Sequence, residues 1–317
     1  MCTIFAVTGP IFALMGLGFC CVRLGLFQRA DMSVLGRFVI HVALPALLVS
    51  TISQRAPAEI FRADYLLASA GGTLLAFLLV LGLALGPRRL GLQQSAIRAM
   101  GVSVSNKAFL GLPIVAQVVG GAAPVALALS LVAEDILVLP LALLLTDLGG
   151  RQRRGLWALL LDIGRSLAGN PVILAICIGL ALSLLHVQAP DPVLRLLDML
   201  GRVAAPTALF AIGGTLGGSL ATLRACGSCG DIGLIVGVKL ILHPFLVGLL
   251  ALHLPLSPEM RAAAILYASM PMFSIYPLFG AKYGLEVFCS ATVLLGVSAS
   301  FVTISTAIWC VQHFVLS

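Results

Sequence analysis

Asn106 and Lys107 stand together inside a long apolar stretch, with Gly111 and Pro113 a few residues further on. An amide nitrogen donates to a carboxylate oxygen and an ammonium matches its charge, so this pair could hold an organic anion. A second apolar stretch carries Ser269, Met270 and Pro271, then Ser274 and Pro277. An ammonium at the centre of a membrane helix costs about 2.5–3.5 kcal/mol, so Lys107 must be paired or face a wet cavity. Glu134 and Asp135 are the evident partners. Neighbouring helical residues point about 100° apart, so one of the two can pair with Lys107 while the other lines the cavity. Two roles stay open for Lys107. It supplies charge for an anionic substrate, or its carboxylate pair takes the place of a coupling cation or exchanges protons with one. Asn106 has a blander role open to it as well, capping backbone freed by a break. Ser103, Ser105, Ser269 and Ser274 offer hydroxyls, although intramembrane serines often bond back to their own helix. Tyr276 is as well explained by packing as by ligation.

Proline lacks an N–H and clashes with the preceding turn, costing roughly 3 kcal/mol in a helix interior. Gly111 and Pro113 are therefore expected to end one half-helix and begin another, and Pro271 with Pro277 to do the same in the second stretch. Hydrocarbon has no water to satisfy freed backbone, so each break must line a cavity or sit in protein. Paired interruptions in corresponding segments are the best pointer in a sequence to a carrier's binding site. Each new half-helix would present unpaired N–H groups and about half a positive charge. Two such ends facing one cavity suit a carboxylate.

These residues need a membrane frame, and the composition supplies it. Sixty per cent of the 317 residues are apolar, ten per cent are charged, and the mean hydropathy is +1.13. Soluble domains carry about 25% charged residues. Apolar runs of roughly 20 residues, the length that crosses a bilayer, recur along the whole chain. The expected spans are Phe5–Val22, Val34–Ser53, Tyr65–Gly86, Ser95–Val119, Pro124–Thr146, Leu167–His186, Leu196–Gly218, Ile232–Leu254, Met260–Lys282 and Val287–Val311. The fourth and ninth are the interrupted ones. Phe5–Val22 has no preceding basic residue, no small-x-small cleavage pattern and Pro10 inside it, so it reads as a retained helix rather than a signal peptide.

With the N-terminus outside, cytoplasmic connections hold eleven basic residues and outer ones four. The positive-inside bias then favours both termini outside. The cluster Arg151, Arg153 and Arg154 divides the chain into residues 1–150, a connection 151–166, and residues 167–317. Five spans per half enter with opposite orientation, which predicts inverted repeats. Leu35-Gly36-Arg37 ahead of Pro45 and Leu200-Gly201-Arg202 ahead of Pro206 echo this weakly.

Several function classes are excluded. The basic residues lie in short connections, so the net charge of +7 sets topology rather than binding nucleic acid. No Walker loop occurs, so this chain does not hydrolyse ATP to drive transport. No H-E-x-x-H, Ser/His or paired-aspartate constellation points to an intramembrane enzyme. A channel is disfavoured, because breaks in two inverted segments argue for alternating access. His41 and His243 read as packed helix residues and not metal ligands, since neither has a second ligand at helical spacing. No metal or cofactor is expected. Cys226 and Cys229 form a C-x-x-C read as plain loop, the other cysteines are small apolar fillers, and Trp157 and Trp309 are interface residues. Arg37 and Lys239 are expected to snorkel to the cytoplasmic face, and Arg202 to the outer one.

Across nearly its whole length the chain resembles the auxin efflux carrier family in its compact bacterial form. The resemblance is carried by Pro10 with Met15-Gly16-Leu17-Gly18-Phe19, by Leu35-Gly36-Arg37-Phe38 through Pro45, by Asn106 with Gly111-Leu112-Pro113, and by Asn170-Pro171. It continues in Ala205-Pro206 through Gly213, in Lys239 through His243-Pro244, and in Met270-Pro271 through Tyr283-Gly284. It implies an all-α polytopic fold of ten helices in two inverted five-helix repeats, with helices four and nine broken and crossing, as in bile-acid and sodium/proton carriers. Helices 1, 2, 6 and 7 would form a scaffold, and helices 3–5 and 8–10 a mobile transport domain. The implied activity is export of small organic anions, such as malate, malonate or an auxin-like monocarboxylate, by an elevator movement. The location would be a bacterial inner membrane, with a homodimer left open. A sodium- or proton-coupled symporter of the bile-acid type is the alternative. Asn106 matches the family's substrate-binding asparagine, whereas Lys107 replaces a small or neutral residue. The apolar side made by Met270, Met272, Phe273 and Ile275 departs from the family's amide there and leaves a monocarboxylate with an apolar tail in view.

Overall fold

The computed structural model describes residues 2–316 apart from 61, 151–160, 162, 163, 166, 167, 188 and 217–228. Expectations for Arg151, Arg153, Arg154, Trp157 and Cys226 lie outside the described residues. Helices make up the fold, and among the described residues β pairing is confined to one isolated bridge. Among the described residues six runs are long and apolar enough to cross a membrane: Ala30–Ser53, Ala63–Leu85, Lys107–Leu148, Asp191–Thr215, Gly230–His253 and Glu286–Phe314. Gly9–Arg23 and Pro171–Leu184 are shorter apolar helices. The 42-residue run Lys107–Leu148 is interrupted at Gly120, whose φ of 58° is open to glycine and strained for other residues.

Most intramembrane prolines do not break their helices. A π-turn precedes Pro45 (Val39–Ala43), Pro113 (Lys107–Gly111), Pro140 (Val132–Val138) and Pro244 (Val238–Leu242). The widened turn lets the residue ahead of proline donate five residues back. Leu44 N–H reaches the Val39 carbonyl, Leu139 that of Glu134, and His243 that of Val238. The carbonyl that the proline ring would otherwise crowd is thereby accommodated.

The two expected interruptions are present, and one is displaced. The helix Leu92–Ser103 ends at Val104, which has extended angles, and helical structure resumes with the π-turn at Lys107. Gly111 itself is helical, with φ −68° and ψ −50°, and Pro113 is the second residue of Leu112–Val119. The break therefore falls upstream of Gly111 and Pro113, because the π-turn absorbs the proline. In the second segment the helix Pro258–Ala268 stops before Pro271, and Tyr276–Ala281 begins with Pro277 in its first turn.

The chain forms two compact units. One comprises residues 1–63, 108–129 and 166–218, and the other residues 64–107, 130–165 and 219–317. In the first, the helix Cys2–Arg23 lies directly on Asp191–Leu216. A Cβ on Gly213 would fall on the Met15 carbonyl, and one on Gly18 on the Phe210 carbonyl. Small residues at a crossing let helix backbones approach within van der Waals contact, the main source of attraction between helices in lipid. In the second unit, Phe77, Ile97, Met100, Met272, Tyr276 and Phe288 pack into one apolar core. Tyr276 donates from its hydroxyl to the Ile97 carbonyl at 2.9 Å, so its polar end is satisfied by the helix that leads into the first break.

Candidate substrate and charge-pairing site

Within the second unit the two breaks meet as a short antiparallel pair. Ser105 lies opposite Met272. Asn106 N–H donates to the Pro271 carbonyl at 2.8 Å, and Phe273 N–H to that of Val104 at 3.2 Å. Each interruption thus answers backbone groups that the other leaves open, which is what hydrocarbon demands of a broken helix. Side chains add one further link across the pair, from Asn106 Nδ2 to Ser274 Oγ at 2.9 Å.

Much of the positive end expected to greet a ligand is already occupied by protein. Ser105 N–H donates to Glu134 Oε2 at 2.8 Å, Asn106 N–H is taken by Pro271, and Lys107 N–H reaches the Ser105 carbonyl at 2.9 Å. Asn106, 4% exposed, keeps one amide hydrogen and its oxygen beyond the bond to Ser274.

Directly behind the paired breaks lies a buried charged network. Lys107 Nζ sits 2.8 Å from Glu134 Oε1 and 3.0 Å from the Ser130 carbonyl. Glu134 also accepts from the Ser105 hydroxyl at 3.0 Å. That hydroxyl in turn accepts from Lys239 Nζ at 2.6 Å. Lys239 meets His243 Nδ1 at 3.1 Å, and His243 Nε2 meets Thr73 Oγ1 at 3.0 Å. With Lys239 an ammonium, which only donates, Nδ1 accepts and Nε2 carries the ring proton toward Thr73. Thr73 donates onward to the Ser69 carbonyl at 2.7 Å. At the other end, Ser130 Oγ pairs with Tyr65 Oη at 2.7 Å. Lys107, Lys239 and Glu134 are all at most 1% exposed. Asp135 is half-buried and makes no hydrogen bond or ion pair among the described residues.

The expected residues separate into those brought together and those set aside. Ser105, Asn106, Lys107, Glu134, Ser274 and Pro271 converge. Ser269 and Ser103 bond back to Ile265 and Ala99 of their own helices. Lys239 does not snorkel: it is fully buried and bound to Ser105 and His243, because hydrogen-bond partners inside the protein replace the interface. His243 is more than a packed residue, since it orients that lysine. The sequence held a signal for them. Lys107, Glu134 and Lys239 each precede a proline by five or six residues and so fall in the π-turns described above. A charge at that spacing marks a widened turn, where side chains are re-aimed off the regular helical face.

The model of the membrane transport protein family matches residues 3–310. The chain belongs to that family. It is the auxin efflux carrier family, and the chain is a multi-pass membrane transport protein. A protein of Rhizobium meliloti (strain 1021) named "Putative malonate transporter" is 31% identical over 314 residues, covering 98% of this chain and 97% of the relative. At the paired breaks this member of the family holds two buried lysines, Lys107 and Lys239, and an asparagine with one amide hydrogen left to donate.

Proposed function

We propose that the chain is a secondary carrier that exports small organic anions, with malonate, malate and auxin-like monocarboxylates as the substrate class. The observation that carries this reading is the back-to-back pairing of the two breaks at Ser105 and Met272, with Asn106 beside Ser274. Membership of a transport family and the name of the Rhizobium relative support it. In this reading ten helices form two inverted repeats, both termini lie outside the inner membrane, and helices 3–5 and 8–10 move as the elevator.

Transport is sodium-independent in this reading. A sodium site needs clustered oxygens, and here those of Ser105, Ser130 and Glu134 are engaged by Lys107 and Lys239. Proton exchange is assigned to Asp135, the carboxylate that the network leaves unbonded.

The test is counterflow of labelled malonate and of labelled monocarboxylates in proteoliposomes, with and without a sodium gradient. Saturable exchange that is indifferent to sodium is expected. Absence of exchange for every carboxylate overturns the carrier reading, and a strict sodium requirement overturns the internal-cation reading.

A further inference from the structure

The first unit contains a cavity of about 500 Å³ that the crossing does not use. Its walls come from Pro10, Ile11, Leu47, Leu112, Pro113 and Leu209, among others, and among the described residues Arg202 is its only charged lining residue. Arg202 is exposed and has no hydrogen bond or ion pair among the described residues. Asp198, four residues earlier on the same helix face and the natural partner, accepts instead from the Ser50 hydroxyl at 2.5 Å. Gln117, also in the lining, spends one amide hydrogen on the Pro113 carbonyl.

We propose that this cavity is a binding site for an organic monoanion with an apolar body, and that Arg202 is the residue that pairs with its carboxylate. The proposal rests on the carrier reading and adds a second site for its substrate, apart from the one at Asn106. Guanidinium presents a fork of N–H donors that matches a carboxylate bidentately. The volume falls in the range of small-molecule pockets, roughly 300–1,000 Å³. A malonate-sized dianion would leave most of it unfilled and bring two charges to one cation. A medium-chain carboxylate places its tail on the leucine and proline walls and its charge on the arginine. An anionic phospholipid shares this chemistry, and the experiment separates the two sources.

The experiment is calorimetric titration of octanoate and of malonate into purified protein in phosphatidylcholine nanodiscs, together with octanoate counterflow. The parent is expected to bind octanoate at least tenfold more tightly than malonate. Arg202→Gln should lose at least tenfold in octanoate affinity, Arg202→Lys should retain part of it, and Arg195→Gln on the same helix should match the parent. Monodispersity and helical content of each variant, measured in parallel, separate lost binding from misfolding. Tighter binding of malonate than octanoate, or parent-like binding by Arg202→Gln, overturns the proposal. Phosphatidylglycerol that displaces octanoate, with no octanoate counterflow, overturns the substrate assignment in favour of a lipid site. Malonate counterflow that persists in that case leaves the carrier reading standing, so the two failures are distinguishable.

Discussion

Lys107 and Glu134 close a 2.8 Å ion pair with 1% and 2% of their side chains exposed. Glu134 also accepts from the backbone and hydroxyl of Ser105, so one carboxylate fixes both the extended break and the lysine beside it. Removing one partner of a buried pair leaves an uncompensated charge and typically costs about 3–5 kcal/mol. Glu134→Gln is therefore expected to lower apparent Tm sharply in detergent, while Lys107→Met with Glu134→Gln recovers much of the loss. Groups in direct contact couple non-additively, and a strictly additive double variant would sink the pairing argument.

The oxygens around Lys107 Nζ come from Ser130 and Glu134, with Ser105 attached to the same carboxylate. Lys107→Ala empties that place while keeping its oxygens. Sodium, to which the parent is expected to be indifferent, should then raise the variant's Tm, because an ion that binds only the folded state stabilises it. Thermal unfolding in sodium chloride against choline chloride reads this directly. Equal response of parent and variant would remove the internal cation from the mechanism.

Asn106 and Ser274 give a prediction about affinity. Asn106 Nδ2 already donates to Ser274 Oγ, so serine orients the amide while the remaining amide hydrogen is left for the proposed substrate. Asn106→Ala is expected to raise the half-saturating substrate concentration in counterflow at least tenfold, corresponding to about 1.4 kcal/mol or more, near the lower end of the value for a hydrogen bond to a charged group. Ser274→Ala should shift it only a few-fold. A larger effect from serine than from asparagine would reverse the assigned roles.

The sequence makes some of this legible and hides the rest for physical reasons. Apolar length and the prolines point to a membrane fold and to both interruptions. The position of the first break is not visible, because Pro113 is accommodated by the π-turn starting at Lys107. What holds Ser105 and Asn106 out of a helix is tertiary: Glu134 takes the N–H of Ser105 and Pro271 that of Asn106. Pairing of Lys107 with a carboxylate follows from the cost of a buried ammonium, and the choice of Glu134 over Asp135 depends on geometry inside Val132–Val138. Lys239 looks like a snorkelling residue because its partners, Ser105 and His243, include one 134 positions away.

Gly213 tests the packing of the first unit. Its missing Cβ leaves room for the Met15 carbonyl, and Gly18 does the same for Phe210 in the other direction. The obstructing atoms are backbone, so a larger residue cannot be relieved by a rotamer change. Overpacking a tight interior costs typically about 1–3 kcal/mol even where side chains can yield. Gly213→Leu is expected to exceed that range, through separation of the Cys2–Arg23 and Asp191–Leu216 helices. Gly233, with open space around its would-be Cβ, lies in the helix Cys229–Gly237. There alanine should be neutral or stabilising by up to about 1 kcal/mol through helix propensity. Yield of monodisperse protein and apparent Tm compare the two directly. Tolerance of leucine at position 213 would mean that the two helices do not meet at these glycines.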